Sequence, residues 1–282
     1  MPRVELFEQT HAIVGMIHVA ALPGTPRYQG AFESIVRQAA QEAALYAQAG
    51  FDGVLIENMH DVPYLCGSVG PEIVAAMTAV GVAVRHACPL PLGVQILAAA
   101  NHAALAVAQA CGACFVRVEN FAYAHVADEG LMPVAAAGPL LRYRRQIGAE
   151  HIRLWADVKK KHASHAITGD VSLADAARTA EFFGADALVV TGVATGQPAN
   201  VEDVRTVRQA VRCPVCVGSG LTAENLADYW PYADVFIVGS SLKINGLWSN
   251  ALDLQRVHTF MSAVQALRAA DQRTTAAGGP LP

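Results

Sequence analysis

Short apolar segments alternate along the chain with longer, Ala-rich segments in which apolar residues recur every three or four positions. Alternation of this kind is typical of parallel β-strands connected by crossover helices. The pattern predicts eight strands, at residues 12–19, 53–57, 92–97, 115–119, 153–158, 187–191, 215–218 and 235–238. It also predicts eight helices, near residues 32–49, 71–87, 101–110, 139–147, 173–183, 201–211, 223–229 and 253–268.

Eight consecutive strand–helix units predict an α/β protein with the (β/α)8 TIM-barrel fold, formed as a single domain by residues 1–268. Residues 269–282 are mostly small or polar and include Gly and Pro, which predicts a disordered C-terminal tail. An open doubly wound sheet is the alternative, but that fold more often carries its glycine fingerprint after the first strand. Here the glycine-rich turns follow the seventh and eighth strands.

The composition excludes several classes of protein. Of 282 residues, 53% are hydrophobic and only 16% are charged, which indicates a globular chain with a large core. The formal net charge of −4 argues against binding to a nucleic-acid polymer.

One apolar stretch, at residues 94–116, has the length of a membrane span. Polar residues interrupt it at Gln95, Asn101, His102 and Gln109. A buried strand, helix and strand explain the stretch better, so we predict no transmembrane segment. Residues 1–11 contain no apolar signal-peptide segment, and we therefore expect a cytoplasmic protein.

The turns after the seventh and eighth strands consist of small residues, and glycine lets a ligand approach the backbone closely. Their members are Gly218, Ser219, Gly220, Gly239, Ser240 and Ser241. TIM barrels frequently bind phosphate with these two loops, and a helix starting at about Thr222 would add N–H groups and a positive dipole end. We predict that the turns bind the phosphate of a phosphorylated small molecule, rather than being only tight turns.

Polar residues recur where the predicted strands end, which is the side of a barrel that carries active sites. The candidates for catalysis are Glu57, Glu119, Asp157 and Lys159. The candidates for ligand binding are His18, Asn58, Gln95, Arg117, Asn120 and Thr191. Because residues two apart on a strand share a face, we expect Asp157 and Lys159 to point the same way. They could then form an acid/base pair, or the lysine could form a Schiff base. The alternative is an ion-pair network that only closes the barrel top.

No cofactor is expected, although Glu57, Glu119 and Asp157 could together hold a divalent metal ion. The pairs Cys111/Cys114 and Cys213/Cys216 have zinc-like spacing, but each straddles the start of a strand, so we interpret them as small buried thiols. The basic run at residues 159–162 is either a solvated loop or the source of one lysine that reaches the anionic group of a ligand. Loops 58–70 and 121–139 are long enough to act as lids.

The motifs together resemble the BtpA/SgcQ family, and the resemblance covers about residues 4–265. The matching segments contain polar or glycine residues at the strand ends: Gly15-Met16-Ile17-His18 with Leu22-Pro23-Gly24, Gly53 to Asn58, Arg117-Val118-Glu119-Asn120, Ala156-Asp157-Val158 through Lys161-His162, Thr191-Gly192 with Thr195-Gly196, Val217 to Gly220, and Gly239 to Lys243. The family is placed among ribulose-phosphate-binding barrels, which agrees with the fold predicted from the pattern.

What the resemblance implies about function leaves two hypotheses open. Photosynthetic members are associated with photosystem I biogenesis or stability as peripheral thylakoid proteins, whereas others accompany carbohydrate genes and are described as nucleosidases or sugar-metabolism enzymes. The first hypothesis is therefore an enzyme for a phosphorylated sugar or nucleotide-like compound: an isomerase, aldolase, lyase or nucleosidase-like hydrolase. The second is a photosystem I biogenesis factor. Ala-, Leu- and Val-rich helices also suggest a homo-oligomer.

Overall fold

The computed structural model describes residues 4–277, and eleven strands occur in this part of the chain. In chain order they are β1 (Ala12–His18), β2 (Gly53–Glu57), β3 (Leu92–Gln95), β4 (Phe115–Val118), β5 (His125–Ala127), β6 (Gly130–Met132), β7 (Arg153–Asp157), β8 (Ala163–Ser164), β9 (Ala187–Val190), β10 (Val215–Val217) and β11 (Val235–Val238). Eight of them close into a parallel barrel in the order β1-β11-β10-β9-β7-β4-β3-β2. The predicted TIM barrel is confirmed.

The helices surround the barrel and connect its strands. They are α1 (Phe32–Gln48), α2 (Pro71–Ala87), α3 (Asn101–Cys111), α4 (Ala137–Gln146), α5 (Leu173–Phe182), α6 (Val201–Ala210), α7 (Leu226–Tyr229) and α8 (Leu254–Ala277). Helix α7 is shorter than predicted, and α8 continues past residue 268. The prediction of disorder is therefore wrong for residues 269–277, while residues 278–282 lie outside the described residues. Across the described chain, no helix is both long enough and apolar enough to cross a membrane.

The barrel interior is filled by side chains, which places the remaining space at its ends. Phe115 on β4 and Trp155 on β7 stack with ring centroids 3.8 Å apart, and Phe7 packs edge-on against Trp155. A second and larger core lies between the strands and the surrounding helices. Because successive strand residues face opposite sides, the same period of two that buries Trp155 points Asp157 into the barrel.

A small antiparallel sheet lies over the carboxyl ends of the barrel strands. Strands β5 and β6 form a hairpin within the loop at 121–139, and β8, in the loop after β7, pairs with β5. The other long loop, at 58–70, is held by Asp61, whose carboxylate accepts hydrogen bonds from Leu22 N (2.8 Å) and Asn58 Nδ2 (2.8 Å). Both predicted lids are therefore attached to the barrel by specific contacts.

Candidate functional site

The strand ends form one polar layer directly above the apolar interior. Each member is the inward-facing residue that follows, two positions later at the end of the strand, a residue of the filled interior. The members are His18, Glu57, Gln95, Arg117, Asp157, Thr191, Gly218 and Gly239. The structure thus brings together six of the predicted polar site residues with one glycine from each predicted phosphate turn. Alternation along each strand puts each of them on the same side as the interior residue two positions before it.

A cavity of about 370 Å³ opens where this layer meets the loops after β9, β10 and β11, and we refer to it as the glycine cavity. It is lined by Met16, His18, Glu57, Arg117, Lys161, Thr195, Gly196, Gly218, Ser219, Gly220, Ile237, Gly239 and Ser240. Five of the six predicted phosphate-binding residues lie here. Thr195 and Gly196 were not predicted as site residues, and Lys161 was considered only as one of the lysines of the basic run at residues 159–162. All three belong to segments that carry the family resemblance.

Two of the predicted phosphate-binding serines hold the loops together through their hydroxyl groups. Ser219 Oγ accepts a hydrogen bond from Gly192 N (2.9 Å) and donates one to Gln197 O (3.1 Å). Ser241 Oγ donates to Leu221 O (2.6 Å), and Ser241 does not line the glycine cavity. The hydroxyls of Ser219 and Ser241 thus fix the shape of the cavity, which leaves its backbone and Ser240 to face a ligand.

Gly220 occupies the closest approach between two of these loops. Its φ of +67° lies in the left-handed region, and a Cβ atom here would overlap the backbone of Gln197 and Pro198. Gly239 is also restricted, since a Cβ atom would lie 3.0 Å from Met16 Cβ and 3.1 Å from His18 Cε1. Glycine is needed at 220 chiefly to let the loop after β9 close over the cavity.

The anion site predicted at a helix starting near Thr222 is not formed. Helix α7 starts at Leu226 and spans only four residues, and the Thr222 N–H donates instead to Asn225 Oδ1 at 2.8 Å. Thr222 lines a different depression on the outside of the barrel. A 3-10 turn at Ser240–Leu242 follows β11 directly, so the backbone at the start of this turn, rather than that of α7, borders the cavity.

Arg117 and Asp157 form a buried bidentate ion pair in the polar layer. Arg117 Nε donates to Asp157 Oδ2 at 3.0 Å, and Nη2 donates to Oδ1 at 2.9 Å. Burial raises the pKa of the Asp157 carboxyl, and the contact with Arg117 opposes that rise. The two charge-assisted hydrogen bonds require a carboxylate and a guanidinium, so the pair is ionised. Arg117 lines the glycine cavity and is held in one orientation by Asp157, which does not line that cavity.

Glu57 and His18 face the same cavity from β2 and β1. Burial raises the pKa of Glu57, and its nearest basic neighbour, His18 Nε2, lies 3.9 Å from Oε2, too far for a hydrogen bond. His18 Nδ1 lies 3.1 Å from the carbonyl oxygen of Trp248, and burial lowers the His18 pKa to about 3. The neutral ring therefore carries its proton on Nδ1, which leaves Nε2 as an acceptor towards the cavity.

Lys161 lies between the loops and the polar layer and lines the cavity. Its pKa is lowered, first because burial penalises the ammonium form and next because Arg117 is close. The carboxylates of Glu57, Asp157 and Glu119 oppose this shift. An amine with a lowered pKa beside carboxylates is the kind of group that enzymes use for proton transfer or nucleophilic attack.

The prediction that Lys159 pairs with Asp157 is wrong. The strand ends at Asp157, and Lys159 has a φ of +48°, so the alternation of faces no longer applies there. Its Nζ donates instead to Val171 O at 2.7 Å. Lys159 and Asn120 line a separate cavity behind the mouth, where Asn120 Nδ2 donates to Val134 O at 2.8 Å.

Two other predicted residues hold loops in place. Asn58 Oδ1 accepts from Leu97 N (2.8 Å) while its amide donates to Asp61. Glu119 Oε2 accepts from Ala99 N (2.8 Å), and Glu119 Oε1 accepts from Lys160 Nζ (3.2 Å). Through these contacts Asn58 and Glu119 connect the loops after β2, β3 and β4 and support the mouth.

Gln95 and Thr191 lie in the polar layer with unused hydrogen-bonding capacity. The Gln95 Oε1 and Thr191 Oγ1 atoms are buried and have no hydrogen-bond partner among the residues that the structure describes. Buried polar atoms usually find a partner, and those that do not call for an explanation, such as an absent ligand or water. Both side chains therefore stay candidates for ligand or water contacts.

A second cavity of about 740 Å³ adjoins the first, and we refer to it as the aromatic cavity. Its lining residues are Glu57, Met59, Tyr64, Leu97, Ala98, Glu119, Asp128, Glu129, Lys160, Lys161, His162, Thr195 and Trp248. The two cavities share Glu57, Lys161 and Thr195. Glu57, Lys161 and Thr195 therefore lie between the glycine loops and a chamber with apolar and aromatic walls.

Metal binding at Glu57, Glu119 and Asp157 gains no support from the geometry. Between residues 4 and 277, no group of three or more His, Cys, Asp or Glu side chains is arranged to hold a metal ion. Asp157 is paired with Arg117, and Glu119 with Lys160. A divalent metal at these three carboxylates stays an untested prediction.

Comparison with known proteins supplies relatives that cover nearly the whole chain. A mitochondrial protein of Caenorhabditis elegans of uncharacterised function is 45% identical over 262 residues, which cover 91% of this chain and 94% of the relative. The photosystem I biogenesis protein BtpA of Synechocystis is 34% identical over 282 residues, which cover 98% of this chain and 97% of the relative.

Solved structures that are similar to this chain share its fold at low sequence identity. Thiamine phosphate pyrophosphorylase from Pyrococcus furiosus superposes with a TM-score of 0.54 at 14% identity, over 92% of this chain and 96% of the other. Phosphoribosyl anthranilate isomerase from Thermus thermophilus gives a TM-score of 0.55 at 12% identity, over 91% and 100%. The model of the BtpA family matches residues 9–266. The chain therefore belongs to the BtpA family.

Proposed function

We propose that this barrel is an enzyme that binds a phosphorylated sugar or nucleotide-like compound, with the phosphate in the glycine cavity. The observation that carries the proposal is the position of that cavity, where residues 218–220 and 239–240 meet Lys161 and Arg117. Glycine backbone and cationic side chains are what phosphate sites in barrels use. Two of the solved barrels with this fold are named for phosphorylated compounds, which is consistent with the proposal.

The reacting part of the substrate would lie at the junction of the two cavities. Glu57 lines both, and burial raises the pKa of its carboxyl, so it can carry a proton closer to neutral pH than an exposed glutamate. The neutral His18 ring presents Nε2 to the same space. We assign to Glu57 the role of general acid or base, and to His18 that of an acceptor which orients a hydroxyl group.

The rest of the substrate would occupy the aromatic cavity. Trp248 and Tyr64 offer flat apolar surfaces there, while Glu129 and Lys160 offer polar groups at its edge. This combination suits a sugar or a ring attached to a sugar, since both have apolar faces and polar edges. Isomerisation, aldol cleavage and hydrolysis of a glycosidic bond are all compatible with one acid/base carboxyl at the junction.

Ligand-induced stabilisation tests the proposal. Sugar phosphates, nucleoside monophosphates and inorganic phosphate are compared with the same sugars and nucleosides without phosphate, and the melting temperature is measured. A ligand that binds only the folded state at 100 times its Kd stabilises it by about 2.7 kcal/mol. We expect the melting temperature to rise with the phosphorylated compounds and with inorganic phosphate, and not with the sugars and nucleosides that lack phosphate. If no phosphorylated compound and no inorganic phosphate raises the melting temperature, the proposed function is wrong.

Substitution of Glu57 separates binding from chemistry. We expect Glu57→Gln to keep the phosphate-dependent shift, because the amide retains the size of the side chain, and to lose turnover of any substrate found. The matched control is Glu224→Gln, on the outside of the barrel, which should change neither. A Glu57→Gln variant with wild-type turnover would remove the acid/base role from Glu57.

A second candidate function is assembly or stabilisation of photosystem I at a membrane surface. The Synechocystis relative is named for photosystem I biogenesis, and loops around the mouth expose Leu131 (57%), Val134 (69%) and Val193 (77%). Exposed apolar patches often mark partner or membrane surfaces. Co-sedimentation with thylakoid membranes tests this role. Protein that stays in the supernatant at low salt would contradict it.

A further inference from the structure

The chain contains four lysines, and three of them are bound to other groups of the protein. Lys159 Nζ donates to Val171 O, Lys160 Nζ lies 3.2 Å from Glu119 Oε1 and 3.8 Å from Glu129 Oε2, and Lys243 Nζ lies 2.6 Å from Glu42 Oε2. All four lysines lie in the described part of the chain, and there Lys161 alone makes no hydrogen bond or ion pair.

Lys161 also differs from the other three lysines in its position. It lines the glycine cavity and the aromatic cavity, together with Glu57 and Thr195. Its environment favours the free amine, because burial and the nearby Arg117 lower the Lys161 pKa. Each pKa unit by which an amine is lowered increases its unprotonated fraction at neutral pH about tenfold.

We propose that Lys161 is a nucleophile that forms a Schiff base with the carbonyl group of a phosphorylated aldehyde or ketone. This inference rests on the proposed function, because the phosphate in the glycine cavity is what would hold the carbonyl carbon next to the amine. It names the substrate class of the site as a phosphorylated carbonyl compound. It also distinguishes Lys161 from a lysine that only contributes positive charge to phosphate binding.

The bond changes balance with groups that already line the junction. The Lys161 nitrogen attacks the carbonyl carbon, the carbonyl π electrons move to oxygen, and a proton passes from nitrogen to that oxygen to give a carbinolamine. Protonated Glu57 then donates its proton to the hydroxyl group, which leaves as water. The products are the iminium ion on Lys161 and the Glu57 carboxylate. Addition of water reverses the sequence and regenerates both groups.

The iminium ion on Lys161 is what would assist the chemistry of the substrate. Its positive nitrogen accepts electrons from a bond adjacent to the former carbonyl carbon, which assists proton removal or carbon–carbon cleavage at that position. Burial stabilises neutral amine and neutral carboxyl alike, so Lys161 and Glu57 can enter the sequence in the required protonation states. Arg117, held in place by Asp157, lines the glycine cavity and is available to hold the substrate during both steps.

Reductive trapping tests the proposal directly. The protein is incubated with D-glyceraldehyde 3-phosphate or dihydroxyacetone phosphate and sodium cyanoborohydride, which reduces an imine to a stable secondary amine. D-glyceraldehyde without phosphate is the matched control, and peptide mass spectrometry reports the label at each lysine. We expect label from at least one phosphorylated carbonyl compound at Lys161, about tenfold above the other three lysines, and competition by inorganic phosphate.

Two conservative variants complete the design. Lys161→Arg should abolish the label while it keeps the melting-temperature shift caused by inorganic phosphate, because guanidinium donates hydrogen bonds to phosphate but is not nucleophilic at neutral pH. Lys159→Arg, outside both cavities, should leave label and shift unchanged. The labelling rate of the wild type should rise with pH as the Lys161 amine loses its proton, and fall again once Glu57 is no longer protonated.

The outcomes separate this inference from the proposed function. Label spread evenly over the four lysines, or no label, in a protein that phosphorylated compounds stabilise would overturn the Schiff base and leave the phosphate site intact. Label at Lys161 that is equal with and without phosphate on the aldehyde would support the nucleophile and contradict the phosphate site. Absence of both label and stabilisation would refute both proposals.

Discussion

Gly220 offers the sharpest test of how the loops build the glycine cavity. Substitution to Ala introduces a Cβ atom at a residue whose φ is +67°, where that atom would overlap the backbone of Gln197 and Pro198. The loop after β9 must then move away from the turn at 218–220. That loop carries Thr195 and Gly196, which line the cavity, so the substitution should affect both stability and phosphate binding.

The expected loss of stability has two parts that a control variant separates. A left-handed backbone costs an L-residue about 1–2 kcal/mol, and displacing packed backbone adds about 1–3 kcal/mol, so Gly220→Ala should cost about 2–5 kcal/mol. Gly112, at the end of α3, has a φ of +72° and no atom within 4 Å of an added Cβ. Gly112→Ala should therefore lose only the first part.

Urea unfolding and phosphate titration of the two variants measure these effects. We expect Gly220→Ala to bind inorganic phosphate at least about tenfold more weakly than the wild type, equivalent to about 1.4 kcal/mol, and Gly112→Ala to bind it normally. Equal unfolding free energies for the two variants, together with wild-type phosphate affinity in Gly220→Ala, would refute the argument that contact with Gln197 and Pro198 shapes the site.

Three further predictions concern the polar layer and the assembly. Arg117→Met should destabilise the protein by about 3–5 kcal/mol in urea unfolding, because it leaves the buried Asp157 charge without a partner. The double variant with Asp157→Leu should regain much of that loss, and a double variant as unstable as the single one would contradict this. The pKa of His18 is lowered to about 3 in the folded protein, so as the pH falls His18 becomes protonated in the unfolded state first. His18 should therefore lower the free energy of unfolding by about 2 kcal/mol between about pH 6.5 and 5. His18→Gln should flatten that part of the melting-temperature profile, and an unchanged slope would show that the ring is not buried neutral. We also expect a homo-oligomer, so light scattering that gives the monomer mass of 29.7 kDa would contradict that expectation.

The sequence by itself determined the fold and most of the polar layer. Alternating apolar strands and amphipathic helices indicated the barrel, since each strand must bury both faces and each helix one. The sequence also placed His18, Glu57, Arg117 and Asp157 at the strand ends, which is the side of a barrel that carries active sites. Because strands buried on both faces are apolar throughout, the closed barrel decided that these four side chains face inward.

The tertiary structure decided which residues beyond the strand ends face the site. Past Asp157 the chain leaves the strand, and a left-handed residue at Lys159 turns its side chain away while Lys161 reaches the cavities. Thr195 lies beside Lys161 because the loop after β9 is held over the mouth by contacts with Ser219 and His162. Such placements depend on hydrogen bonds between residues far apart in sequence, and no local periodicity encodes them.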